Sequence, residues 1–185
     1  MTHSESVTVP EPSLPANPDL IARFSTRIGG SKAKEVERFL KFAVVGITGT
    51  FVNALVLNAL MFLFHVQQGD QGLPDVFEAV AYAIAIFNNF VWNRFWVYPD
   101  SRSKPVVKQL AMFYVVNSIG YLINMVIFSL SRGAFASLLA NMLHQTSVTS
   151  DDIKLGANMG LLLATCIVMF WNFFVNRYLT YNDVK

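Results

Sequence analysis

Two short stretches of this chain set arginine beside asparagine at helical spacing. Asn89, Asn93 and Arg94 lie in FNNFVWNRFWVYPD, residues 87–100, and Asn172, Asn176 and Arg177 lie in FWNFFVNRYLTYND, residues 170–183. Residues at i and i+4 share a helix face, so each arginine follows a face carrying two carboxamides. Guanidinium grips phosphate through a planar fork, and carboxamides donate to phosphate or sugar oxygens. The set suits a phosphate-bearing head group. Snorkelling to water explains one arginine at a membrane boundary. It does not explain two, each preceded by the same pair of amides.

The two stretches are copies. At a shift of 83 positions seven of 14 residues are identical, among them both Asn, the Arg, the Tyr and the final Asp. Upstream, Phe42, Val44, Val45, Gly49 and Asn53 correspond to Phe113, Val115, Val116, Gly120 and Asn124 at a shift of 71. The unit is a two-helix hairpin used twice. A unit with two crossings returns to its starting side, so the copies are predicted to be parallel, related by an axis along the membrane normal.

Further polar residues share these helices. Asn53 and Asn124 follow Gly49 and Gly120 by one turn, with Gly46 and Asn117 a turn earlier, while Asn158 and Thr165 extend the stripe of the last helix. Amides facing lipid lack partners, so these are predicted to point into the bundle. For Asn53 and Asn124, ligand binding and interhelical hydrogen bonding, worth about 0.6 kcal/mol, explain the residue equally well. The glycines, including Gly156-x-x-x-Gly160, read as helix packing. The histidines are scattered, the single cysteine, Cys166, sits in an apolar run, and no phosphate loop or nucleophile motif occurs. Neither metal, cofactor nor catalysis is expected, and nothing suggests nucleic acid.

The elements that must position these residues are membrane spans. Apolar residues make up 54% of the 185 and charged residues 14%, well below the roughly 25% charge of a soluble domain. Four apolar runs, 42–64, 76–98, 111–130 and 155–175, reach the roughly 20 residues needed to cross hydrocarbon. The predicted fold is therefore an all-α membrane protein of four transmembrane helices in two tandem hairpins. Residues 1–35 are expected to form a disordered tail with an amphipathic helix at 19–29, and 36–185 the transmembrane domain. Phe135, Leu138, Leu139 and Met142 fit a surface helix in the last outer loop and, equally well, an ordered loop with a few apolar contacts. Twelve of the 14 Lys and Arg residues precede the first span, lie at or beyond the end of the second, or follow the fourth. The positive-inside rule then puts both termini in the cytoplasm.

The opening RFLKFAVVGITGTFVNALV and the endings FNNFVWNRFWVY and FWNFFVNRYLTY, on a chain with four spans, resemble the GtrA-like family over residues 39–183. The resemblance implies a flippase in the cell membrane. Its cargo would be a polyprenyl-phosphate-linked sugar such as bactoprenol-phosphate glucose, carried to the outer leaflet for cell-surface polysaccharide synthesis. It also implies a membrane glycosyltransferase as partner. The alternative is a non-transporting scaffold that recruits or stabilises that transferase. The lack of a central carboxylate argues against a proton-coupled exporter. Four spans enclose little volume, so a homo-oligomer built on Gly and Ala of the first and fourth helices is expected.

Overall fold

The computed structural model describes residues 20–66, 72–101, 103–144 and 146–183. Of the tail expected at 1–35, residues 1–19 lie outside the described residues. All regular structure among them is helical: α1 Leu20–Gly29, α2 Ala33–Leu63, α3 Leu73–Trp92, α4 Val106–Met142 and α5 Ser150–Val175. A 3-10 turn, Gly30–Lys32, joins α1 to α2, and π-helical turns Asn93–Val97 and Asn176–Thr180 extend α3 and α5. The chain divides into two compact units between Leu40 and Lys41.

In the first unit Leu20, Phe24 and Ile28 form an exposed apolar stripe along α1, while Ser25 is buried and bonds the Ile21 carbonyl at 2.7 Å. α1 stops where Gly30 takes a positive φ of 49°, a conformation glycine adopts without steric cost. α2 begins at Ala33, inside the stretch assigned to the tail. Its first turns carry an Arg38–Glu35 ion pair of 2.7 Å.

The second unit holds α2 from Lys41 onward with α3, α4 and α5. Helix starts follow local chemistry. Pro74 sits in the first turn of α3 after Gly72, a position that needs no N–H. Thr149 and Asp152 form a capping box at α5, each satisfying a donor the other leaves open. Large apolar side chains point outward, as Phe51, Leu55 and Leu162 do, while the interior is closed by Val45, Phe90, Phe113, Val116, Ala164 and Phe173.

Among the described residues three helices are long and apolar enough to cross a membrane: those within Leu20–Leu63, Val106–Met142 and Ser150–Thr180. α3 has the length, 20 residues, but Asp75, Glu78, Asn88 and Asn89 dilute its apolar character.

α4 departs from expectation. It runs unbroken for 37 residues, about 55 Å at 1.5 Å per residue, so Phe135–Met142 is its last two turns and not a separate surface helix. Its packing face there is Ala136 and Ala140, both buried, with Leu138 and Met142 outward. The reason is close approach to α5. A Cβ on Gly156 would strike the Ala136 backbone at 2.6 Å, and one on Gly160 would crowd Arg132. These glycines are spent inside the chain, which removes them as an oligomer surface.

Candidate functional site

Each Asn-Arg segment folds into a π turn by the same bonds. The Asn93 side chain donates to the Asn89 carbonyl at 2.8 Å, and Asn176 does the same to Asn172. The amide N–H of Tyr98 reaches back five residues to the Asn93 carbonyl at 2.8 Å, matched by Tyr181 and Asn176. Side-chain bonds of this kind compete with the regular helical ladder, and π turns recur at functional sites. The turns carry Tyr98 and Tyr181 into a buried stack, centroids 4.4 Å apart and planes at 17°.

One turn deeper, Asn89 lies against Gly49 and Asn172 against Gly120, so closely that neither glycine has room for a Cβ. Phe42 meets Phe173 edge-on at 5.6 Å, and Phe90 meets Phe113 edge-on at 5.7 Å. The contacts follow the correspondences read from the sequence, residue for residue.

Above these contacts a cavity of about 600 Å³ opens among α2, α3, α4 and α5, within the size range of small-molecule sites. Asn53, Asn89, Asn93, Asn117, Asn124 and Asn172 all line it, with Thr50, Thr165, Tyr82, Tyr121 and Glu78. Asn53 donates to the Glu78 carboxylate at 3.2 Å. The side-chain oxygens of Asn53, Asn93 and Asn172 are buried and have no hydrogen-bond partner among the described residues. Such acceptors cost about 1–3 kcal/mol each when unsatisfied, and a ligand rich in hydroxyl donors would relieve them.

Of the eight expected site residues, five therefore share the cavity: Asn53, Asn89, Asn93, Asn124 and Asn172. Asn176, Arg94 and Arg177 are not among its lining residues. Asn176 is fully buried, and its oxygen accepts from Thr180 at 2.8 Å. Asn93 lacks that partner because Val97 stands at the matching position. Arg177 donates to the Tyr181 carbonyl at 3.3 Å. Arg94, next in sequence to the cavity-lining Asn93, is buried, and its Nη1 has no partner among the described residues. Glu78 is not among the residues expected from the sequence. Its i, i+4 relation to Tyr82 and its place on the face of Asn89 were the signals available.

Beyond the π turns, Asp183 ties the segment after α5 to the segment after α3. Its carboxylate accepts from the hydroxyls of Ser101 and Ser103 and from the Ser103 amide. Partial burial alone would raise its pKa, but the bonds from Ser101 and Ser103 outweigh that and hold it below the ordinary carboxylate value. Gln109, fully buried, donates to Ser101 at 2.7 Å and completes the tie.

Among the described residues no three His, Cys, Asp or Glu side chains cluster as a metal site. The sequence profile of the family described as "GtrA/DPMS, transmembrane domain" matches residues 41–181, which spans the four helices around the cavity. A stretch of 95 residues, 51% of this chain, is 28% identical to a dolichol-phosphate mannosyltransferase of Pyrococcus furiosus. That match covers 25% of the relative's length.

Proposed function

This chain belongs to the GtrA/DPMS transmembrane-domain family, and from that premise we propose that it translocates a polyprenyl-phosphate-linked sugar across the cytoplasmic membrane. The observation that carries the reading is the amide-lined cavity of about 600 Å³ within the helix bundle. Its lining offers carboxamides and a carboxylate to sugar hydroxyls, and Arg94, just past Asn93, holds a buried donor without a partner. A phosphate oxygen would satisfy that donor through a charge-assisted bond, roughly twice as strong as a neutral one. Arg177 would add charge at the same level, and Asn176 would keep its turn in shape.

In this reading α3 crosses the bilayer with the other three helices. Its polar residues Glu78 and Asn89, with Asn93 just beyond its end, line the cavity, so the polar groups that interrupt its apolar run serve the site. The two hairpins are parallel copies, and the distribution of Lys and Arg puts both termini and both π turns on the cytoplasmic side.

A scaffold that holds a glycosyltransferase at the membrane is the second reading, favoured by the likeness to the mannosyltransferase of Pyrococcus furiosus. Vesicles rebuilt with this protein alone separate the two. Lipid-linked sugar changes leaflet in them only if the chain itself translocates.

A further inference from the structure

The two halves of the repeat differ most where the cavity meets the bilayer. On the α3–α4 side the wall is closed by aromatic side chains. The Tyr82 hydroxyl reaches the Asn117 carbonyl at 3.4 Å, the Tyr82 and Tyr121 rings lie 5.4 Å apart, and the Tyr114 hydroxyl donates to the Ala83 carbonyl at 2.6 Å. At the repeat shifts of 83 and 71 positions, Tyr82 becomes Thr165, Asn117 becomes Gly46, Tyr121 becomes Thr50 and Tyr114 becomes Ala43. The register is secure at this depth, since Ala81 and its counterpart Ala164 are both fully buried. Every residue that closes the α3–α4 wall is small on the α2–α5 side.

The consequence is open space. A Cβ built on Gly46 meets nothing within 4 Å, whereas Gly49 one turn on has no room for one. Gly46, Thr50 and Thr165 line the cavity and are exposed. Ile47 and Leu161 flank them, lining the cavity while remaining more than half exposed. A polar interior thus opens sideways, between apolar lips, onto a surface solvated by hydrocarbon.

We infer that the α2–α5 wall is a lateral portal through which the head group of a membrane lipid enters the cavity, its hydrocarbon chain staying between Ile47 and Leu161. A water-soluble ligand has no use for an opening at this depth, because moving a polar solute through hydrocarbon costs several kcal/mol per unpaired group. A lipid reaches it by diffusing in the plane. The inference rests on the cavity being a head-group site, and it holds whether the lipid is then flipped or only held.

The test uses the full chain in vesicles containing a polyprenyl-phosphate glucose with a diazirine in its prenyl chain. After irradiation, adducts mapped by mass spectrometry are expected on α2 and α5 around Thr50 and Thr165, several-fold over those around Tyr82 and Tyr121. Equal labelling of the two walls would overturn the portal. So would photoprotection of the α2–α5 wall together with a disulfide between native Cys166 residues of two copies, since a second copy would then cover it.

Gly46→Leu, which fills the opening without removing a contact, is expected to abolish labelling of α2 and α5. Gly133→Leu, at a second helical glycine with open space, controls for loss of a glycine and is expected to label as the native chain does. If native protein flips lipid and Gly46→Leu flips it equally well, the portal is wrong and the proposed function stands. If adducts concentrate on α2 and α5 without flipping, the portal stands and translocation fails.

Discussion

The rings of Tyr98 and Tyr181 lie stacked 4.4 Å apart at 17°, both fully shielded from solvent. They occupy the same position in the two halves of the sequence, 83 residues apart, so each half contributes one face of the contact. Phe113 closes it edge-on at 6.4 Å from Tyr181. The stack locks the two π turns, and the arginines they carry, to one another.

Tyr98→Ala and Tyr181→Ala are each expected to destabilise the protein by about 3–5 kcal/mol, the usual loss for a buried aromatic ring. Tyr181→Phe, whose hydroxyl has no partner among the described residues, should be close to neutral. Thermal unfolding in detergent, followed by intrinsic Trp fluorescence, checks all three.

The π turns differ at one position, and exchange there has a sign. Thr180 bonds the Asn176 oxygen at 2.8 Å, while Val97 leaves the matching Asn93 oxygen unsatisfied. Val97→Thr is expected to stabilise the fold by about 1 kcal/mol, and Thr180→Val to destabilise it by a comparable amount. Val97→Thr also commits an acceptor in the cavity wall, so binding of lipid-linked sugar should weaken although the protein is more stable.

Asp183 predicts an acid limit. Bonds from Ser101 and Ser103 hold its pKa below the ordinary carboxylate value. For a group whose folded pKa is depressed, the stabilisation is present above the unfolded pKa and is lost as pH falls through the folded one. Unfolding temperature should therefore be flat near neutrality and fall in strong acid. Asp183→Asn should start lower at neutral pH and lose part of that acid dependence. An identical acid profile in the variant would remove Asp183 from the account.

Much of the site was legible in the sequence because helical periodicity and the repeat act on the same residues. Asn89 and Asn172 could be placed on interior faces from spacing alone, and Gly49 and Gly120 matched to each other by the shift of 71 positions. What could not be read was the division of labour within each Asn-Arg segment. Asn93 and Asn176 spend their amide groups on the backbone, a choice made by π geometry that sequence spacing does not encode. Arg177 donates to the Tyr181 carbonyl, a contact that two nearly identical strings do not announce. The length of α4 was missed because apolar patterning cannot separate one long helix from a span followed by a surface helix. Ala136 and Ala140 against Gly156 and Gly160 decided it, through backbone contact and not through hydrophobic periodicity. Glu78 went unread because nothing in its spacing marks a lone acid near a span mouth as a partner of Asn53, which donates to it at 3.2 Å.

Orientation has a direct check. With native Cys166 replaced by alanine, a cysteine at Ser103 should react with an impermeant maleimide only from the cytoplasmic side. One at Ser147 should react only from outside. The reverse pattern would invert the membrane placement of the π turns and of Arg94 with them.

The central claim is that this chain moves a lipid-linked sugar between leaflets through the amide-lined cavity, with Arg94 holding the phosphate. The most direct measurement reconstitutes the protein alone into vesicles with fluorescent polyprenyl-phosphate glucose and follows the fraction shielded from a membrane-impermeant quencher. Native protein should equilibrate the leaflets well above the rate of empty vesicles. Arg94→Ala should return the rate to background at unchanged protein content, and Arg94→Lys, which keeps charge but loses the planar fork, should recover only part of it. Native vesicles no faster than empty ones, or Arg94→Ala as fast as native, would contradict the account.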